Sequence, residues 1–234
     1  MKYELETIPV WDAYKTKAEC PICFLFNKSE EEYIRFYVGN SVMVPEIRVQ
    51  VNRIGFCKTH YPKLLNGGNR LGLSLITHTH IKETRKKFTL VLNAKKIKSK
   101  LEKKITQLAK SIKDQQNNCI ICQKLEDRIN RYTYTIVQLW KTNKDFNIIF
   151  SNSTGTCLTH EINLLQMASV FLTRQHLQTF VTDLLKLQDD SWNSIEEDLL
   201  ALINNFDYQS NKDSSQKLKS SIDRAINKLL GKGT

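Results

Sequence analysis

The apolar residues of this chain recur at helical spacing. From Ile97 they run Ile97, Leu101, Ile105, Leu108 and Ile112, at intervals of 4, 4, 3 and 4. One apolar side chain per turn predicts a helix with a narrow buried stripe. Leu71 to Leu92 and Cys157 to Leu187 read as long helices, the first set off by a Gly67-Gly68 break. Pro45 has its φ fixed and no N–H to satisfy, so it suits the first turn of a short helix after Val44. Other helical patterns start at cysteines: Cys20 leads into Phe24, Phe36 and Tyr37, and Cys157 into Leu164, Leu165 and Val170.

Composition extends this pattern to the whole chain. The 234 residues include only 8 Gly and 4 Pro, too few turn formers for the many short strands of a sandwich or barrel, so the fold class reads as all-α. A hydrophobic share of 41% is enough for one large domain or two small ones and excludes a disordered chain. Lys and Arg number 35 against 24 Asp and Glu, a net +11 that favours an acidic partner such as nucleic acid. The excess is local: residues 82–113 hold twelve Lys or Arg and two Glu, whereas residues 183–198 hold six Asp or Glu and one Lys. Residues 1–17 contain Glu4, Glu6 and Asp12 and no signal-length apolar run, and no stretch approaches a membrane span. The expectation is a cytoplasmic protein with no membrane association and with reduced thiols.

The six cysteines all belong to short motifs. Residues 20–23 read C-P-I-C and 55–60 read G-F-C-K-T-H; residues 119–122 read C-I-I-C and 155–160 read G-T-C-L-T-H. The ligand set Cys20, Cys23, Cys57, His60 recurs as Cys119, Cys122, Cys157, His160 at offsets of 99, 99, 100 and 100. Tyr33 maps on Tyr132, Ile47 on Phe146, Thr59 on Thr159, and Leu64 and Leu65 on Leu164 and Leu165, so the chain reads as an internal duplication. Each copy offers three thiolates and an imidazole, the Cys₃His set of a closed tetrahedral zinc site, so two Zn²⁺ ions are expected. Gly55 and Gly155 sit two residues before a cysteine, where a positive φ would aim the thiolate inward. The ligands fall at helix N-termini, where the macrodipole favours thiolate.

Rival chemistries fit less well. An iron–sulfur cluster uses similar ligands but a tighter cysteine run. Thioredoxin-like chemistry wants its C-x-x-C in a βαβ unit, and covalent haem wants histidine where Phe24 and Gln123 stand. A catalytic zinc needs an open position and a base; four protein ligands are on offer, and no catalytic residue stands out. Which pairs share an ion stays open. Cys20 and Cys23 can close with Cys57 and His60 across 33 intervening residues, or with Cys157 and His160 across 133. Loop-closure entropy favours the local pairing by about 1.2 kcal/mol, at roughly 0.6 kcal/mol per doubling.

Among the remaining residues, His78 and His80 lie two apart, on different sides of a helix, and with His176 read as ordinary polar or core positions. Trp11, Trp140 and Trp192 read as core or interface aromatics. The motifs in combination resemble a family of bacterial proteins known only as a domain of unknown function, with duplicated CxxC…GxCxxH motifs. Some of its members carry an automatic label of ABC transporter substrate-binding protein, a label that no signal peptide or lipoprotein cysteine accompanies here. The likeness runs from Ile8-Pro9 through Val42-Met-Val-Pro-Glu-Ile-Arg48, Asn69-Arg-Leu-Gly-Leu73 and Leu139-Trp-Lys141 to Phe206-Asp-Tyr208. It departs after Tyr208, where relatives are expected to carry Trp-Gly and this chain reads Gln209-Ser-Asn-Lys212. The resemblance implies a fold unit and metal ligands, and no activity.

The expected architecture is thus two duplicated helical zinc-binding modules, residues 1–95 and 115–190, joined by a basic helix over 96–114 and followed by C-terminal helices over 191–234. The expected role is a non-enzymatic binding or adaptor protein with a protein partner. The alternatives are an enzyme or redox sensor using the Cys₃His sites directly, and a weak nucleic-acid binder acting through residues 82–113.

Overall fold

Pro45 and Asn69 show how local chemistry sets the helix boundaries. Val44 is extended at ψ 116°, and Pro45 behind it opens a helix. Asn69 accepts a hydrogen bond from the Gly72 N–H at 2.9 Å and donates one to the Val38 carbonyl at 2.5 Å, so it caps one helix while tying it to the end of another. Gly72 is required there, because a Cβ would collide with the Val38 carbonyl.

The computed structural model describes residues 6–92, 98–207 and 216–231. Its helices are α1 (Thr7–Lys15), α2 (Pro21–Val38), α3 (Pro45–Ile54), α4 (His60–Asn66), α5 (Arg70–Leu92) and α6 (Lys98–Asn117). They continue as α7 (Ile120–Thr142), α8 (Lys144–Ser151), α9 (Leu158–Phe171), α10 (Arg174–Asp207), α11 (Gln216–Lys219) and α12 (Ser221–Leu230). A single 3₁₀ turn, Asn40–Met43, precedes α3, and no strand occurs among the described residues, so the fold is all-α. Ile97, Lys95, Lys96, Tyr208 and the Gln209–Lys212 departure lie outside the described residues.

The helix read over Cys157 to Leu187 is two helices. Leu172 is extended at ψ 149°, which turns its side chain into the core, and Thr173 opens α10 with its hydroxyl 2.9 Å from Nδ1 of His176. Helical periodicity continues across this break, which is why the pattern alone does not show it. α10 then runs on without interruption through residues 190 and 191.

Two compact units divide the chain, one made of residues 1–28 and 128–234, the other of residues 29–127. Both divisions fall inside helices, α2 and α7. The first unit has a core of Val10, Tyr14, Ile22, Ile136, Phe146, Phe150, Leu164 and Phe180, with Cys20, Cys23 and Cys157 among them. Trp140 meets Phe180 edge-on at 5.0 Å and Trp11 meets Phe146 at 5.4 Å, the core roles expected of them. α12 packs on α9 and α10 with its polar side inward: Lys228 is 1% exposed, while Ile222, Ile226 and Leu229 are each 49% exposed.

In the second unit Tyr37, Val51, Phe56, Leu64, Ile76, Ile121 and Leu125 are buried. Here α5 and α6 form an antiparallel hairpin, with Lys87 donating to Ser111 and Gln115 at 3.1 Å each, and Lys104 to the Leu90 carbonyl at 3.0 Å. The expected stripe is only partly covered: Leu101, Leu108 and Ile112 are half-buried and Ile105 is exposed. Among the described residues, no helix is long and apolar enough to cross a membrane.

Candidate metal centres

All eight Cys and His ligand candidates come together in two quartets, and the quartets cross the sequence order. Cys20 and Cys23 join Cys157 and His160; Cys57 and His60 join Cys119 and Cys122. This corrects the local pairing that loop entropy favours. The advantage of about 1.2 kcal/mol equals the burial of roughly 50 Å² of apolar surface, less than one leucine. Ile22, in the first turn of α2, is 0% exposed within the same core as Phe146, Phe150 and Leu164, and burying that side chain alone contributes about 1.5–3 kcal/mol. Each compact unit therefore contains one complete quartet, built from the C-x-x-C of one motif set and the C-x-x-H of the other.

The local backbone places each donor. Cys20 and Cys119 immediately precede α2 and α7, which carry Cys23 and Cys122 in their first turns. Cys157 is the N-cap residue of α9, and His60 and His160 sit in the first turns of α4 and α9. Gly55 and Gly155 have φ of 82° and 75°, as the motif spacing predicts. Gly55, with ψ −168°, occupies a region essentially restricted to glycine.

The donor distances fit a single tetrahedral ion. Bonds of about 2.3 Å to sulfur and about 2.0 Å to nitrogen give tetrahedral edges of about 3.8 Å between sulfurs and about 3.5 Å between sulfur and nitrogen. Cys23 and Cys157 Sγ lie 3.6 Å apart, and Cys57 and Cys122 Sγ 3.8 Å. His160 Nδ1 is 3.5, 3.3 and 3.2 Å from the sulfurs of Cys20, Cys23 and Cys157. His60 Nδ1 is 3.2, 3.4 and 3.4 Å from Cys57, Cys119 and Cys122. Within each quartet all donors lie within 4.8 Å of one another, with no sulfur pair at disulfide length among those distances.

Electrostatics favour at least one thiolate in each quartet. Burial opposes ionisation of Cys57, yet hydrogen bonds from His60 and Thr59 outweigh it and bring that thiol to about 6. Cys119 is lowered in the same way, burial again being overcome by hydrogen bonds from His60 and nearby backbone N–H groups. Hydrogen bonds from Cys20 and Cys23 pull Cys157 down, whereas burial pushes Cys20 up. Burial also raises Cys122, reinforced by the charges on Cys119 and Cys57. The histidines respond to the thiolates: against burial, His60 rises to about 8 and His160 to about 9. Metal binding at such a set displaces protons.

Residues around the donors differ between the quartets. His60 Nε2 lies 3.1 Å from Glu30, which also accepts from Lys63 at 2.7 and 2.8 Å. The Ile120 N–H donates to the Gly55 carbonyl at 3.1 Å, locking the C-x-x-H turn to α7. The corresponding residue before α2's cysteine pair closes is Pro21, which has no N–H. There Gln188 holds the turn instead, accepting from the Thr156 N–H at 3.1 Å and donating to the Thr156 carbonyl at 2.9 Å. Lys228 donates to the carbonyls of Thr154 and Thr156. Burial lowers its pKa, against the surrounding negative charge of Glu19, Cys20, Cys157 and Glu161. Arg224 pins α12 nearby, at 2.7 Å from Glu19 and 2.6 Å from Asp198.

Glu30, Gln188, Arg224 and Lys228 carry no sequence signal of this role, since each lies far along the chain from what it holds. His78, His80 and His176 join neither quartet. His78 is exposed, His80 is half-buried beside Gly55, and His176 is exposed.

Residues 1–234 match a family described as a family of unknown function (DUF6062). No curated protein and no solved structure matches the chain.

Proposed function

The chain belongs to DUF6062, a family of unknown function, and from its two Cys₃His quartets we propose that it is a zinc protein whose ions act as structural cross-links. The crossed closure carries this reading: Cys23 and Cys157 are 134 residues apart in sequence and 3.6 Å apart in space. An ion at that point fixes α2 to α9, and its binding energy is folding energy. Three thiolates and an imidazole suit zinc rather than magnesium, calcium or manganese. Donors confined within 4.8 Å leave room for one ion and none for a multi-iron cluster. Four protein donors fill a tetrahedral shell, whereas catalytic zinc keeps one position for water.

On this basis the protein is a non-enzymatic binding or adaptor protein of the cytoplasm, built from an internally duplicated ligand set. A second reading, weak polyanion binding, draws on the α5–α6 hairpin, where Lys82, Arg85, Lys86, Lys103, Lys110 and Lys113 are exposed. Such contacts are expected to vanish near physiological salt and to ignore base sequence. Titrating labelled DNA and RNA across salt concentrations tests it; tight binding that survives physiological salt would promote this reading over the adaptor one.

Elemental analysis of the purified protein tests the zinc reading. About two zinc ions per chain are expected, and chelation should melt the helical core. Iron with acid-labile sulfide, or a metal-free chain with unchanged circular dichroism and melting temperature, contradicts it.

A further inference from the structure

The two quartets differ sharply in access. Cys20, Cys23, Cys157 and His160 are all buried; a cavity of about 230 Å³ adjoins Cys20 and Cys23, yet each is only 5% exposed. In the other quartet His60 and Cys119 are buried, but Cys57 is half-buried and Cys122 is exposed. The neighbours of the two accessible cysteines, Lys58 and Thr59 on one side and Gln123 and Lys124 on the other, are exposed as well. Cys57 and Cys122 Sγ are 3.8 Å apart, so the two sulfurs that solvent can reach face each other.

We propose that the quartet of Cys57, His60, Cys119 and Cys122 is an oxidant-reactive site whose oxidant is hydrogen peroxide. Cys122, the more exposed sulfur, is the attacking thiolate, held deprotonated by the ion it ligates, and Cys57 is the resolving one. The proposal rests on the zinc reading and adds a reaction that only one of the two sites performs. In the first step the Cys122 thiolate attacks a peroxide oxygen: an S–O bond forms, the O–O bond breaks, and hydroxide leaves. Cys122 is then a sulfenic acid. In the second step the Cys57 thiolate attacks the Cys122 sulfur, an S–S bond forms, and a second hydroxide leaves. Two thiolates have lost two electrons, and the peroxide has taken them up as two hydroxides. An ion in this quartet then has only Cys119 and His60 and dissociates, while the new Cys57–Cys122 bridge keeps the turn before α4 tied to the first turn of α7. A dithiol reductant returns the two electrons and restores the ligand set. The buried quartet keeps its ion throughout, because thiolate oxidation follows exposure as well as ionisation.

The test uses the full-length protein with its metal content measured first. A chain that starts without zinc overturns the zinc reading, and this proposal with it. Zinc-loaded protein is then treated with hydrogen peroxide while released zinc is followed with a chromogenic chelator and each cysteine by differential alkylation and mass spectrometry. The expected result is loss of about one of two zinc ions, a Cys57–Cys122 bridged peptide, and Cys122 oxidised at least ~10-fold faster than Cys20, Cys23 or Cys157. In a Cys57→Ser variant, Cys122 should be trapped as a sulfenic acid by a dimedone probe. Release of both ions at one rate, faster oxidation of the buried cysteines, a Cys119–Cys122 bridge, or no release at all would overturn the proposal even though the protein binds zinc.

Discussion

His60 turns Nδ1 toward three cysteine sulfurs and Nε2 toward Glu30, 3.1 Å away. An Nε2–H donated to that carboxylate leaves the Nδ1 lone pair for a metal, so Glu30 fixes the tautomer the site needs. At the equivalent position 99 residues on, Ile129 offers no carboxylate. The two quartets share their donors and differ in what surrounds them.

Glu30→Gln is therefore expected to weaken zinc binding at the His60 quartet by about 10–100-fold and to leave the His160 quartet unchanged. Chelator competition, with alkylation showing which cysteines become free, reads both sites at once. Equal weakening of the two would refute a local role for Glu30.

Gly155→Ala should destabilise the protein by about 1–3 kcal/mol, because alanine is strained at positive φ. Its Cβ would also press on Gln188, 2.6 Å away, and disturb the pair that side chain makes with Thr156. Gly55→Ala meets a similar backbone strain and the His80 ring at 3.2 Å. Thermal melts of the two zinc-loaded variants measure this; a wild-type melting temperature in either would contradict it.

Much of this was legible in the sequence for identifiable physical reasons. The eight donors, the helical class, Pro45 at a helix start and positive φ at Gly55 and Gly155 all follow from local chemistry, which leaves a mark within a few residues. The pairing was not legible. Loop entropy separates the two arrangements by only about 1.2 kcal/mol, while the burial of Cys20, Ile22 and Cys23 against residues more than a hundred positions away decides between them. The helix break at Leu172 and the inward Lys228 were hidden for the same reason: both are set by what the helix packs against.

Arg224→Ala removes the cation between Glu19 and Asp198. Charge-assisted hydrogen bonds contribute about 1.5–3 kcal/mol each at most, so α12 should loosen locally while the rest of the unit stays folded. Hydrogen exchange is the appropriate probe. Faster exchange confined to α12 is expected; no change, or global unfolding, would contradict the pinning role.

Cys157→Ser should cost more stability than Cys57→Ser. Cys157 is fully buried in the apolar core, where an unpartnered hydroxyl alone costs about 1–3 kcal/mol, while Cys57 is half-buried. Denaturant melts of both variants with zinc present test the order. Equal costs would mean that the two sites are equivalent in the fold.

The central claim is the crossed ligation itself, and NMR of the cadmium-substituted protein reads it most directly, because each bound cadmium correlates with the side chains that hold it. Two signals are expected, one linked to Cys20, Cys23, Cys157 and His160, the other to Cys57, His60, Cys119 and Cys122. Signals that group Cys20 and Cys23 with Cys57 and His60 would contradict the account.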